Sequence, residues 1–339
     1  MSENVLVLIA LDESGVPLKG DLEAITLGSD LSLSVGGSLS IGVYGADTTA
    51  AAESIKTMGA SKIFTISGEA YSVSRYKTDA AAAEAIARES GASIILGSAS
   101  VRWSRIAAGL AQRLGGVFDS NITAIQSGDG AVSIDRWYYR QRMKGELSRT
   151  QRPWVLTASA GICAQAEPGE TDAEVVSVDL AASASRTTVK GIKASAGDSQ
   201  TIRPEADVLF VAGAGWTKKQ SDGTIKVHDA ESLILDFLDK ADASLGSSKS
   251  LVDLGSEGQE VLSFLTHLHQ IGQTGATPRH PKGLSTCCHG EEPHAVGWRF
   301  INERRAISMD ANCGWAHGKA DVLYVADAFE VMKHVNAML

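Results

Sequence analysis

Four short stretches in the second half of the 339-residue chain carry residue types able to bind a nucleotide or do redox or metal chemistry. Gly213-Ala214-Gly215 closes the apolar run Ala206–Ala212. A glycine turn at a strand end offers backbone N–H groups to a phosphate. Two glycines without a third, and without a downstream acid, fall short of a dinucleotide fingerprint. Gly272-Gln273-Thr274-Gly275 lies between a helix-like segment and a strand; taken alone it reads first as a polar turn. Cys287-Cys288, His289, His294, Cys313 and His317 gather thiols and imidazoles. Paired zinc or iron–sulfur thiolates stand two to four residues apart, whereas adjacent cysteines point to opposite sides of a strand. These are therefore read as thiols at a strand end, and no metal is expected. Ala320–Asp327 is an apolar strand with aspartates at 321 and 327, in capping positions.

The elements that must position these residues follow from apolar runs and their punctuation. Val5–Leu11 reads as a strand buried on both faces. Ser40–Gly45, Lys62–Ile66 and Ser93–Gly97 are further strands. Ala46–Met58, Asp79–Glu89 and Arg105–Leu114 are helices between or after them. This alternation predicts an α/β sheet covered by helices. Val132–Arg142 and Pro153–Ala158 alternate and carry Trp137, Tyr138, Tyr139 and Trp154, which predicts antiparallel additions. Glu167–Gln200 is rich in Ala, Ser and Thr and reads as a connector with one strand, Glu174–Leu180. The pattern restarts at Ala206, which places a domain boundary near Arg203-Pro204 and gives domains 1–203 and 204–339. In the second, Ala230–Leu238 and Ala328–Met338 read as helices. Leu251–Asp253, Gly283–Cys288, Arg305–Asp310 and Asp321–Val325 read as strands.

Composition narrows the function classes. Hydrophobic residues make up 44% and charged residues 21%, values of an ordinary globular protein. A net charge of -9 argues against nucleic acid or an anionic membrane as the main partner. The apolar runs are too short to span a bilayer. The start Met1-Ser2-Glu3-Asn4 has no basic segment, so no signal or transit peptide is expected and a cytoplasmic location is the default. Four cysteines in a chain this long do not make a disulfide framework.

Taken together and in this order, the stretches resemble the alpha subunit of electron transfer flavoproteins. Val211–Gly215, Gly272–Gly275, Cys287–His294, Ala306–Asp310 and Lys319–Asp327 correspond to the glycine turn, the G-Q-T-G, the G-x-S-G-A-x-Q-H, the acidic strand end and the V-A-D segment of its FAD domain. In the first half, Leu96–Ser100, Arg105–Leu114, Asp119–Ala124 and Arg136–Gly145 resemble the family's P-R-L-A-A, S-D-x-x-x-I and R-x-x-Y-x-G-N segments. The resemblance implies an α/β protein of two domains. The N-terminal one is an adenine-nucleotide-hydrolase-like sheet with a C-terminal connector; the other is a Rossmann-like parallel FAD-binding domain. It implies an electron carrier, not an enzyme, that pairs with a beta subunit. It would dock transiently to a dehydrogenase and to a quinone-linked, membrane-linked acceptor. FAD is implied in this chain, and AMP in the beta subunit only. Carried over by position, Gln273 and Thr274 would bond the isoalloxazine edge, with Thr274 near N5, and His294 would face the pyrimidine carbonyl. Gly213, Gly215, Trp216, Gly275, Cys288, His289 and Gly290 would line the site. Ser308, Asp310 and Asp321 would serve the ADP part.

Two departures mark this chain. Gly215, followed by Trp216, stands where the family's turn carries an arginine over the flavin, and Glu291-Glu292 replace small residues in the S-G-A-x-Q-H start. They motivate an alternative, a flavin-less alpha subunit acting as a structural partner. A nucleotide-dependent oxidoreductase is the other alternative. The altered loop also motivates, as electron donor, a dehydrogenase demethylating N-methylated amines or amino acids.

Overall fold

The computed structural model describes residues 3–128, 131–139, 141–181, 185–191, 202–253, 260–272, 277–286, 297–314 and 316–339. The chain divides into two compact units, residues 1–192 and 193–339.

The first unit is built on β1 (Val5–Ala10), β2 (Leu39–Gly45), β3 (Lys62–Ser67), β4 (Ile94–Ser98), β5 (Val117–Gly128), β6 (Ala131–Tyr138), β7 (Met143–Ser148), β8 (Trp154–Ala158) and β9 (Glu174–Ser177). They form one nine-stranded sheet in the order β7-β6-β5-β8-β4-β1-β2-β3-β9. Pairing is parallel from β5 across to β9 and antiparallel at β5–β6 and β6–β7. The expectation of antiparallel additions therefore holds for β6 and fails for Trp154–Ala158. That strand is buried at every position and lies parallel between β4 and β5. Helices α1 (Lys19–Ser34), α2 (Thr49–Ser54), α3 (Tyr76–Ser90) and α4 (Val101–Leu114) cover the faces. One apolar core lies on the side of Ala24, Ile25 and Leu31 of α1; another lies on the side of Ile86 of α3 and Ile106 and Leu110 of α4. Helix α1 was not foreseen, and α2 is shorter than the helix expected over 46–58.

Strand order in this sheet reverses between β1 and β4, the place where open α/β sheets receive ligands. Here the chain's own side chains occupy it. Ser98 Oγ, at the end of β4, donates to the buried Asp21 carboxylate at 2.6 Å. Burial raises the Asp21 pKa against the hydrogen bonds from Ser98 and the Leu18 amide. Arg102 donates to the fully buried Asp79 through Nε and Nη2 at 3.1 and 2.7 Å. The same guanidinium reaches the carbonyls of Leu11 and Tyr71 at 2.5 and 2.7 Å. It also lies 5.4 Å from the centre of the Tyr44 ring.

The second unit carries β10 (Val208–Ala212), β11 (Ser244–Ser247), β12 (His280–Thr286), β13 (Ile301–Ser308) and β14 (Val322–Val325). All are parallel, in the order β11-β10-β12-β13-β14. Helices α5 (Val227–Lys240) and α7 (Ala328–Met338) pack on one face around Phe210, Ile234, Phe237 and Met332. Leu209, Val211, Ile271 and Phe300 form the core on the other face. Leu251–Asp253, expected as a strand, belongs instead to the short helix α6 (Lys249–Asp253). The strand is the preceding Ser244–Ser247, whose composition gives no β signal.

At the amino end of this sheet, fully buried His280 fastens residue 203. Its Nε2 lies 2.8 Å from the Arg203 carbonyl and its Nδ1 3.2 Å from that of Pro278. Burial is the larger influence and pushes its pKa below the ordinary value, although both carbonyls favour the charged form.

Two outcomes follow. Arg102→Met strands a buried carboxylate and should destabilise the protein by about 3 kcal/mol in urea unfolding. Because the His280 pKa is lowered on folding, the unfolded chain takes up the proton first as pH falls. Urea midpoints should therefore drop below about pH 6.5, and the drop should be smaller in His280→Gln.

Candidate functional site

Reading the second sheet in chain order gives 2-1-3-4-5, a doubly wound arrangement whose order reverses at β10. The segments leaving β11 and β12 depart on either side of β10, the position at which sheets of this order receive ligands outside their carboxyl ends. Three residues stand level in that row, since Ala212 pairs with both Ser247 and Thr286.

The glycine turn leaves the middle of the row. Gly213 N–H donates to the Thr286 carbonyl at 2.7 Å, so the turn starts pinned to the end of β12. Gly213, Gly215 and Trp216 are all buried. The Trp216 indole is fully buried, 4.6 Å from the Phe329 ring in edge-on contact, and faces the apolar core. Its Nε1 donates to Thr286 Oγ1 at 2.7 Å, and that hydroxyl donates to the Val211 carbonyl at 3.2 Å. Gln220 Nε2 closes the turn from behind by donating to the Gly215 and Lys218 carbonyls at 3.1 and 2.7 Å.

Gln273, Thr274, Gly275, Cys288, His289, Gly290 and His294 lie outside the described residues, as do Cys287, Glu291 and Glu292. Their described neighbours sit in the row. Thr286, the last described residue before 287–296, ends β12. On the other side, Gln270 bridges to Ser247 at the end of β11. Gly272, with a φ of 78°, donates its N–H to Thr277 Oγ1 at 2.9 Å, so the two residues flanking 273–276 are held together. The segment entering one predicted stretch lies outside β11 and the other leaves β12, so the two are three strand spacings apart, about 14 Å.

Ser308 and Asp310 reach the same edge. Ser308 ends β13, is buried, and its Oγ accepts the Asp310 N–H at 3.2 Å. Asp310 is exposed and accepts the Asn312 N–H at 2.8 Å. Asp321 is not brought there. It precedes β14, at the amino edge, where its carboxylate accepts the Arg304 amide at 2.6 Å. That amide hydrogen bond, more than the Arg304 charge, holds its pKa low. The acid at the carboxyl end of β14 is Asp327, whose Oδ1 accepts Phe329 N–H at 2.8 Å as the cap of α7.

Sequence reasoning missed four residues at this edge. Ser247 Oγ and Gln270 Oε1, on residues joined by a backbone bridge, are buried, and neither has a hydrogen-bond partner among the described residues. Ser248 is buried, donates its N–H to the Ala212 carbonyl at 2.9 Å, and its Oγ accepts Leu251 N–H. Lys249 follows and bonds Asp253. The run Gly246-Ser247-Ser248-Lys249 was the available signal, a small-residue turn ending in a cation. Among the described residues no group of three or more His, Cys, Asp or Glu is placed to hold a metal. No described helix is long and apolar enough to cross a membrane.

A family model described as electron transfer flavoprotein domain matches residues 5–183, more than half of the chain. The match runs from β1 through β9, the whole of the first sheet. No curated protein matches the chain.

Asp321→Asn should weaken the protein at neutral pH and leave ligand binding at the carboxyl edge unchanged within twofold. Because folding lowers this pKa, its contribution is present above the ordinary carboxylate range and lost as pH falls below it. Wild-type and variant melting temperatures should converge at acid pH.

Proposed function

The chain belongs to the electron transfer flavoprotein family, and on that premise we propose that it is an alpha subunit whose second unit holds FAD at the carboxyl edge of β10–β13. Members of the family are electron carriers rather than enzymes; they generally bind a flavin and work with a partner subunit and dehydrogenases. The observation that carries the reading is the level row of Ala212, Ser247 and Thr286. β12, which enters one predicted flavin stretch, ends in this row, the segment entering the other bridges to Ser247, and the glycine turn leaves between β11 and β12.

The residues present fit a dinucleotide. The buried turn at Gly213 and Gly215 brings backbone close to a ligand without side chains in the way. Ser247 Oγ and Gln270 Oε1 are buried polar atoms without partners among the described residues, and a polyhydroxylated ligand supplies such partners. Ser308 and Asp310 lie further along the edge, on the side assigned to the ADP part. Lys249, two residues after the end of β11 and paired with Asp253, is a cation near this edge. Gln273, Thr274 and His294 remain the proposed contacts to the ring. Bound FAD takes up and passes on electrons one or two at a time. The chain's own part is to hold the ring, exclude water from it, and place a donor against its pyrimidine carbonyl at His294. A beta subunit is the proposed constant partner, a dehydrogenase of N-methylated amines or amino acids the proposed donor, and a quinone-linked oxidoreductase the proposed acceptor.

The purified assembly should be yellow, with one FAD per chain by absorbance after denaturation. A correctly assembled but colourless complex refutes the carrier reading and leaves the scaffold role. Reduction by acyl-CoA dehydrogenases, and not by amine dehydrogenases, overturns the proposed donor. Substituting His294→Ala should lower the flavin potential, because it removes a donor that stabilises the negative charge of the reduced ring.

A further inference from the structure

Trp216 follows the glycine turn directly, yet its side chain turns away from the sheet edge. The indole is fully buried, packed edge-on against Phe329. Its one polar atom meets a partner with an unusual position. Thr286 is the last residue of β12 before residues 287–296, and its hydroxyl is used twice: it accepts from Trp216 Nε1 at 2.7 Å and donates to the Val211 carbonyl at 3.2 Å. A hydroxyl rotor left alone points where its neighbours allow. Here one donor and one acceptor fix it, and a third hydrogen bond, from Gly213 N–H to the Thr286 carbonyl, fixes the backbone of the same residue. The exits of two adjacent strands, on both sides of the reversal of strand order, are thereby locked to each other.

We propose that Trp216 is a positioning residue for the flavin: by holding the Thr286 hydroxyl against β10, its indole N–H sets the exit of β12 relative to the glycine turn, without touching the ring. The inference rests on the proposed flavin reading. It also replaces the expectation that Trp216 itself lines the flavin site, since a ring already packed in the core offers no face to a ligand.

The mechanism ranks substitutions at Thr286 in a way that packing alone does not. Thr286→Val keeps the shape and strands the indole N–H in the core; Thr286→Ser keeps the hydroxyl and removes a methyl group. If the hydroxyl clamp positions the site, Val is the damaging change and Ser the tolerated one. If Thr286 only fills space, the order reverses. FAD dissociation constants, from quenching of flavin fluorescence on titrating the apo full chain in its purified assembly, should rise about tenfold for Thr286→Val. The constant should stay within about twofold of wild type for Thr286→Ser. Trp216→Phe, which keeps an aromatic ring but loses the N–H together with part of the indole volume, should also weaken FAD severalfold. The double variant Trp216→Phe/Thr286→Val should weaken FAD by less than the product of the two single effects, because both remove the same hydrogen bond.

A measurement that needs no flavin completes the test. The indole N–H resonance that vanishes in Trp216→Phe should exchange slowly with solvent in wild type and in Thr286→Ser, and at least tenfold faster in Thr286→Val. Equal FAD affinity in all variants overturns the positioning role, as does a Ser variant weaker than the Val variant. A wild-type assembly that binds no FAD overturns the flavin reading itself, and the inference with it; the wild-type titration alone decides that point.

Discussion

The reversal of strand order at β10 is the constraint from which the second unit follows. Parallel strands need crossover connections, and a sheet wound in both directions from one strand leaves a crevice where the two windings part. β10 is that strand, with β11 on one side and β12 on the other. Its apolar sequence Val-Leu-Phe-Val-Ala is explained by burial on both faces: Phe210 and Ala212 in one core, Leu209 and Val211 in the other. Whatever leaves its carboxyl end must turn at once without a bulky side chain in the crevice, and Gly213-Ala214-Gly215 does so. The polar groups of the edge then arrange themselves around this turn. Ser248 and Gly213 amides bond the Ala212 and Thr286 carbonyls, so the three exits are held in one row.

The first unit shows the same kind of crevice treated differently. Between β1 and β4 the strand order also reverses, but Ser98 is tied to a buried Asp21, and Arg102 spans from Asp79 to the Leu11 and Tyr71 carbonyls. A ligand entering there would have to displace a buried, bidentate ion pair whose guanidinium already satisfies two backbone acceptors. Removing a partner from such a pair costs several kcal/mol. The edge of the second sheet has no such plug among its described residues; it has glycines and two buried oxygens without partners.

How much of this the sequence disclosed depends on what each element buries. β1, β2, β3 and β4 were legible because strands covered on both faces read as unbroken apolar runs. Trp154–Ala158 was legible as a strand but not in direction: pairing depends on neighbours that local alternation does not name. Helix α1 was hidden because Gly28 and its serines break the apolar periodicity. Gly28 is there because an added Cβ would stand 2.7 Å from the Val7 side chain. β11 was hidden for a related reason. A four-residue strand of Ser-Leu-Gly-Ser owes its conformation to its neighbour β10, and Gly246 leaves room for Ile271, whose Cδ1 would stand only 2.2 Å from an added Cβ.

The candidate site was legible in its motifs and less so in its geometry, and Asp321 and Trp216 show why. Spacing along a sequence does not say at which end of a strand a residue falls. Asp321 and Asp327 flank the same strand, yet one sits at the amino edge against Arg304 and the other at the carboxyl edge capping α7. A four-residue strand between them is enough to put the two carboxylates at opposite ends of a sheet. Trp216 shows the complementary limit. A residue next to a ligand turn in sequence is not thereby next to the ligand: Ala214 and Trp216 both pack into the core. Which way the indole points is decided by Phe329, more than a hundred residues later, and by the hydroxyl of Thr286. Contacts of that range are invisible to periodicity, so a motif fixes where a site forms before it fixes which side chains face into it.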